Sequence, residues 1–114
     1  MDPRTPVIIG VAQHLQKLDD ARDGVEPVKM MVIAAEACAD DTGVTGILGQ
    51  VESVRVIKGV WRYDNPARYV AEAIGAPGAE TVGTPFGGNT VQSLVNHSAM
   101  QILAEERELV LMTG

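Results

Sequence analysis

Residues 84–114 constrain the fold more than any other part of the chain, because a glycine-rich turn there leads into a long, largely apolar run. The apolar residues that follow the turn recur at helical spacing and predict a helix over residues 90–104. A second apolar run predicts a buried strand over residues 109–112. A helix that is apolar around much of its girth is typical of a protein interior. This stretch therefore predicts a buried helix that packs on a sheet.

The start of that helix is the candidate ligand site. Unpaired backbone N–H groups and the helix dipole favour negative charge there, and Asn89 is placed to cap the helix. Gly87 and Gly88 allow a ligand to approach the backbone closely. Together with Thr90 they form a turn that is suited to stabilising a thiolate or an oxyanion. A tight turn with a helix cap and no ligand is the alternative interpretation.

Three further strands are predicted from apolar runs. Residues 7–12 form a continuous apolar run, which predicts a strand buried on both faces and central in a parallel sheet. Residues 51–57 partly alternate between apolar and polar side chains, and residues 80–84 form a short run before the glycine-rich turn. The segment at 13–26 is polar and predicts a solvated connection.

Two helices are predicted between these strands from their start and stop residues. Pro27 begins a helix that continues to about residue 41, and Gly43 suits the position just beyond its end. Asn65 and Pro66 begin another that continues to residue 74, before Gly75. The order is βαβαβαβ, which predicts a layered α/β domain with a mostly parallel sheet and a buried last helix.

Composition limits the class of protein and of partner. The chain has 114 residues, 46% of them hydrophobic, which suits one small globular domain. Nine basic and fifteen acidic residues give a net charge of −6, which argues against nucleic acid as a partner. The single cysteine excludes an internal disulfide and is compatible with a reducing cytoplasm. We find no signal-peptide pattern and no apolar run near the roughly 20 residues that a membrane span needs.

The cysteine and the two histidines are weak candidates for chemistry. Cys38 lies on the apolar stripe of the 27–41 helix beside two aspartates, which disfavour a reactive thiolate, so we interpret it as a small core residue. His14 follows the first predicted strand, at the end where α/β sites form, and is the better polar candidate. His97 lies inside the last helix and is interpreted as a packing or interface residue. No cysteine and histidine spacing suggests a metal site.

Three segments give the chain a resemblance to the thiolase family, in its sterol-carrier-protein-type and thiolase-like branch. Residues 5–13 resemble the opening strand and turn of that family, and residues 61–68 resemble its second strand-to-helix connection. Residues 84–96, followed by 109–114, resemble its nucleophile turn, central helix and next strand. The resemblance covers nearly the whole chain. It implies a thiolase-like N-terminal domain, one of two similar halves, with the C-terminal half absent from these 114 residues.

The resemblance implies a protein of acyl-CoA metabolism, acting on lipid or sterol intermediates. In catalytic thiolases a cysteine at the start of the central helix is acylated, and a histidine and a second cysteine from the C-terminal half move protons. The nucleophile position corresponds here to Gly88, Asn89 or Thr90, and none of these is a cysteine. We therefore expect an acyltransferase-family chain that is inactive alone, with coenzyme A thioester as substrate or ligand and no bound cofactor.

Three functions follow from this resemblance. The chain is an acyltransferase that acts with its missing C-terminal half, or a retro-aldol lyase subunit that acts on CoA esters with an OB-fold partner protein, or a non-catalytic CoA-binding or dimerisation module. The expected partners are accordingly a second copy of the chain, the C-terminal half or an OB-fold protein. Apolar residues of the last helix, including Val91, Leu94, Val95 and Ile102, predict self-association when the chain is alone.

Overall fold

The computed structural model describes residues 2–114, and its centre is a three-stranded parallel sheet in the order β2-β1-β3. β1 is Ser53–Val56, β2 is Glu80–Gly83 and β3 is Val110–Thr113. The central strand pairs with both neighbours, so that Val54 lies opposite Thr81 on one side and Leu111 on the other. All residues of β1 are buried, as expected for a strand between two parallel neighbours.

All three predicted α-helices are present among the described residues, and each begins and ends within about one residue of its predicted position. α1 is Pro27–Thr42, and it ends at Gly43, whose φ of 71° is the left-handed conformation that glycine adopts without strain. α2 is Pro66–Ala73, and the Asn65 side chain accepts a hydrogen bond of 3.1 Å from the Arg68 backbone N–H. Two short 3₁₀ helices, Ala21–Asp23 and Ile47–Gln50, were not predicted.

The hydrophobic core lies on one face of the sheet, beneath α1 and α2. Side chains alternate along β1, so that Val54 and Val56 point toward these two helices. The residues that share this core are Val28, Met31 and Ala35 of α1, Ala67, Val70 and Ala71 of α2, and Val51, Ile74, Ala76 and Ala79 of the connections. Burial of these side chains stabilises the domain by roughly 1.5–3 kcal/mol for each larger one.

The predicted strand over residues 7–12 was wrong, because the structure assigns no strand there. Val7 and Ile8 are 63% and 83% exposed instead of buried. The segment lies alongside α1 instead. The Val11 backbone N–H donates to the Asp41 carboxylate at 2.9 Å, and Gly10 packs against Cys38. An apolar run becomes a strand only where a neighbouring strand offers backbone partners, and β1 holds the central position that this segment was predicted to occupy.

α3, Thr90–Leu103, covers the opposite face of the sheet. The prediction that this helix is buried holds for one side only, where Leu94 and Ser98 are buried. Val91 and Met100, on its outer side, are 53% and 70% exposed because none of the other described elements packs over them. Within residues 2–114, no helix is both long and apolar enough to cross a bilayer.

Candidate functional site

The glycine-rich turn lies at the carboxyl ends of β1 and β2. Thr84 joins it to the sheet, since its backbone N–H donates to the Val56 carbonyl at 3.1 Å. The Thr84 hydroxyl in turn accepts a hydrogen bond of 2.9 Å from the Lys58 backbone N–H. The carboxyl edge of a parallel sheet is where α/β proteins usually bind their ligands. The fold therefore places the predicted turn residues at the expected edge.

Thr90, and not Asn89, closes this turn. The Thr90 hydroxyl donates to the Gly87 carbonyl at 2.8 Å, and the Thr90 N–H donates to the same oxygen at 3.2 Å. Asn89 occupies the N-cap position, but its side chain makes no capping hydrogen bond, so the predicted cap was wrong. Its φ of −99° and ψ of 0° differ from the extended conformation that aims a capping side chain at the helix. The first N–H groups of α3 thus have no side-chain acceptor.

The space beside the turn opens at Gly88. A Cβ added to Gly88 would meet no other atom within 4 Å, whereas one added to Gly87 would lie 3.2 Å from Asn89 Oδ1 and from a methyl group of Thr90. Gly88 is one of the positions at which the resemblance places the acylated cysteine. The site therefore has room for a ligand group or a side chain at the start of α3.

Lys58 and Phe86 lie at the same edge of the sheet, and neither was predicted from the sequence as a site residue. The Lys58 ammonium donates to the Trp61 carbonyl at 2.8 Å and lies 5.7 Å from the centroid of the Phe86 ring, which is within cation–π range. Lys58 is half-buried and Phe86 is 64% exposed. Lys58 comes directly after the predicted strand at 51–57, so its place at a carboxyl end was the signal that would have identified it.

The two histidines do not join the turn. His14 is exposed on the segment that precedes α1 in the chain, and the neighbouring Gln16 side chain hydrogen-bonds to the Val25 backbone at 2.8 Å and 3.0 Å. No hydrogen bond connects His14 to the turn among the described residues. His97 is exposed on α3. Gly87, Gly88, Asn89 and Thr90 thus form one turn, and neither histidine hydrogen-bonds to it among the described residues.

Cys38 has the properties of a structural cysteine. Burial raises the pKa of its thiol, and the nearby Asp41 carboxylate raises that pKa further. The thiol is therefore protonated at neutral pH, which is the opposite of what a nucleophile requires. In the part of the chain that the structure describes, no group of three or more His, Cys, Asp or Glu side chains is arranged to hold a metal ion.

The fold resembles that of a solved protein of the thiolase class. The crystal structure of a monomeric SCP2-thiolase-like protein type 1 from Mycobacterium smegmatis matches 98% of this chain with a TM-score of 0.84 and 32% sequence identity. This chain spans 24% of the length of that protein. A scan against models of protein families and a search of curated proteins found no match. The structural match confirms the predicted thiolase-like α/β fold.

Proposed function

We propose that this chain, which has a thiolase-like fold, binds the thioester group of an acyl-CoA at the turn formed by Gly87, Gly88, Asn89 and Thr90. The open space beside Gly88, at the carboxyl edge of the sheet, is the observation that carries the proposal. The thioester carbonyl oxygen lies toward the N-terminus of α3, where no side chain caps the helix and the helix dipole favours a developing negative charge. Lys58 supplies a positive charge at the same edge.

The proposed role is binding and polarisation of the thioester, without a covalent acyl intermediate on this chain. Gly88 and Asn89 carry no nucleophile. The Thr90 hydroxyl already donates to the Gly87 carbonyl, and no histidine of the described chain lies beside it to act as its base. The groups that move protons come from a partner: a C-terminal half, a second copy or an OB-fold protein. The setting is acyl-CoA metabolism in the cytoplasm, with a lipid or sterol acyl group.

Two leucine variants test the site. Gly88→Leu fills the open space beside the turn, and Gly78→Leu is the matched control, because a Cβ on either glycine meets no atom within 4 Å. Gly78 lies before β2, at the amino end of the sheet. Calorimetric titration with acetoacetyl-CoA should show at least tenfold weaker binding to Gly88→Leu and unchanged binding to Gly78→Leu. Equal affinities of both variants and the wild type would contradict the proposed site.

A further inference from the structure

A buried polar network connects α3 to the sheet. At its centre is Arg55 of β1, which is 1% exposed. Its Nε donates to the Ser53 hydroxyl at 2.9 Å, and its Nη1 donates to the Ser98 hydroxyl of α3 at 2.7 Å. Its Nη2 donates to the Glu80 carboxylate at 3.3 Å and to the Gln101 side-chain oxygen of α3. One guanidinium therefore connects β1, β2 and α3.

The two serine hydroxyls that accept from Arg55 also donate hydrogen bonds of their own. Ser53 donates to Glu80 at 2.7 Å, and Ser98 donates to the Leu94 carbonyl one turn earlier in α3 at 2.7 Å. The other Glu80 oxygen accepts from Arg107 at 3.1 Å. A buried guanidinium is tolerated only when its donors are paired and its charge is balanced. Glu80 supplies the balancing charge, and Ser53, Ser98 and Gln101 supply the remaining acceptors.

Apart from Leu94, the apolar side chains of α3 are half-buried, as are Val95, Ala99 and Ile102, or exposed. Leu94 is the buried apolar residue of this helix, and the core cluster beneath α1 and α2 includes no α3 residue. Ser98, the other buried residue, contacts Arg55. Arg55 therefore supplies the hydrogen bonds that join α3 to β1.

We propose that Arg55 is a positioning residue, which holds α3 on the sheet and thereby fixes the place of the Gly87 to Thr90 turn at its start. The turn joins the helix directly, so a helix that shifts or detaches moves the turn with it. Loss of the Arg55 contacts releases α3 while the core beneath α1 and α2 stays folded. This role requires no ligand and goes beyond the proposed function.

The network also gives the helix a dependence on pH. The charged groups that face Glu80 are Arg55 from β1 and Arg107 from the α3–β3 connection, and Ser98 and Gln101 are the neutral groups that α3 contributes. The hydrogen bond from Ser53 and the nearby Arg107 lower the pKa of Glu80. Protonation of Glu80 removes the balancing charge of Arg55. α3 should therefore open more often as the pH falls through this lowered pKa.

Hydrogen exchange measured by mass spectrometry tests the proposal. In Arg55→Met, the amides of α3 should exchange at least tenfold faster than in the wild type, and those of α2 should be unchanged. Arg22→Met is the matched control, since the Arg22 side chain is exposed and pairs with Asp20, and it should change neither helix. Ser98→Ala keeps Arg55 but removes one acceptor, and it should give a smaller acceleration confined to α3. This second variant decides the question if Arg55→Met does not fold.

The pH profile separates positioning from general stability. Wild-type α3 should lose protection between about pH 5 and pH 3, around the ordinary glutamate pKa of about 4.3 and below it, while α2 keeps its protection. Arg55→Lys retains the charge with fewer donors and should restore part of the protection. Equal acceleration of α2 and α3, or no acceleration of either in Arg55→Met and Ser98→Ala, would overturn the proposal. A wild-type chain that binds no acetoacetyl-CoA would remove the proposed function but leave this exchange result standing.

Discussion

The two faces of the sheet are held by different forces. Beneath α1 and α2, apolar side chains such as Met31, Val54 and Val70 pack into one continuous core. Beneath α3, the buried contacts centre on Arg55 and Ser98, with Leu94 as the buried apolar residue of the helix. The central strand β1 contributes to both faces, because its alternate side chains point to opposite sides of the sheet.

From this difference we expect α3 to open more easily than α1 and α2. Apolar burial is non-directional and depends little on pH, so we expect the packing beneath α1 and α2 to keep its stability when the pH changes. A hydrogen-bonded charge network depends on geometry and on protonation, and removal of one partner leaves another unpaired. Regions of lower local stability are often those that bind ligands. α3, which begins at the candidate site, lies on the face with the Arg55 network.

The largest expected effect comes from the apolar face. Met31 is 4% exposed in the core, whereas Met100 on the outer side of α3 is 70% exposed. Met31→Ala should lower the free energy of unfolding by about 2–5 kcal/mol, because it removes buried atoms and leaves a cavity. Met100→Ala should change it by no more than about 0.5 kcal/mol. Urea denaturation of the two variants measures both, and similar losses would contradict the contrast between core and outer surface.

A smaller effect is expected from the polar face, and it should depend on pH. The pKa of Glu80 is lowered in the folded chain, chiefly by the hydrogen bond from Ser53 and then by Arg107, so its carboxylate stabilises the fold above the unfolded pKa of about 4.3. Glu80→Gln should cost about 1 kcal/mol at pH 7. The difference from the wild type should shrink as the pH falls through the lowered pKa. Urea titrations at pH 7, 5 and 3 measure it, and a difference that is constant with pH would contradict this role.

The smallest expected effects concern the ends of α2 and α3. Each helix is followed by a residue in the left-handed backbone conformation. Gly75 follows α2 with φ 86°, and Glu105 follows α3 with φ 63°, a conformation that costs a residue with a side chain about 1 kcal/mol. Gly75→Ala should therefore lower the melting temperature, and Glu105→Gly should raise it by a few degrees. Thermal melts followed by circular dichroism measure both, and shifts of the same sign would show that backbone strain does not distinguish the two ends.

Local signals were sufficient to predict the helices of the apolar face. Pro27 and Gly43 bound α1, and Asn65 and Gly75 bound α2, through conformational preferences that act within a few residues. The parallel α/β arrangement followed from the order of these elements. The start of α3 at Thr90 was also predicted correctly, because the apolar spacing changes there.

Long-range contacts were not predictable in the same way. Residues 7–12 have the composition of a buried strand, but composition does not show whether another strand lies beside them. Arg55 interrupts an apolar run, and its partner Ser98 lies 43 positions away, so the sequence gives no local sign that the two meet. The exposed outer side of α3 likewise depends on which elements cover it.

The position of the candidate turn was predicted from the sequence, but the side chains around it were not. The turn from Gly87 to Thr90 lies at the carboxyl edge of the sheet, and His14 makes no hydrogen bond to it among the described residues. The Asn89 cap was wrong because the Thr90 hydroxyl closes the turn instead. Lys58 and Phe86 were missed because their proximity arises from the pairing of β1 with β2.

The most direct test of the account is a calorimetric titration of the wild-type chain with acetoacetyl-CoA, with thiolysis and protein mass measured in the same samples. We expect saturable binding, no acetyl-CoA product and no acyl adduct on the protein, because the turn has room for the thioester but carries no cysteine. The absence of binding at millimolar ligand would contradict the proposed site. Turnover or a stable adduct would contradict the conclusion that this chain performs no acyl transfer of its own.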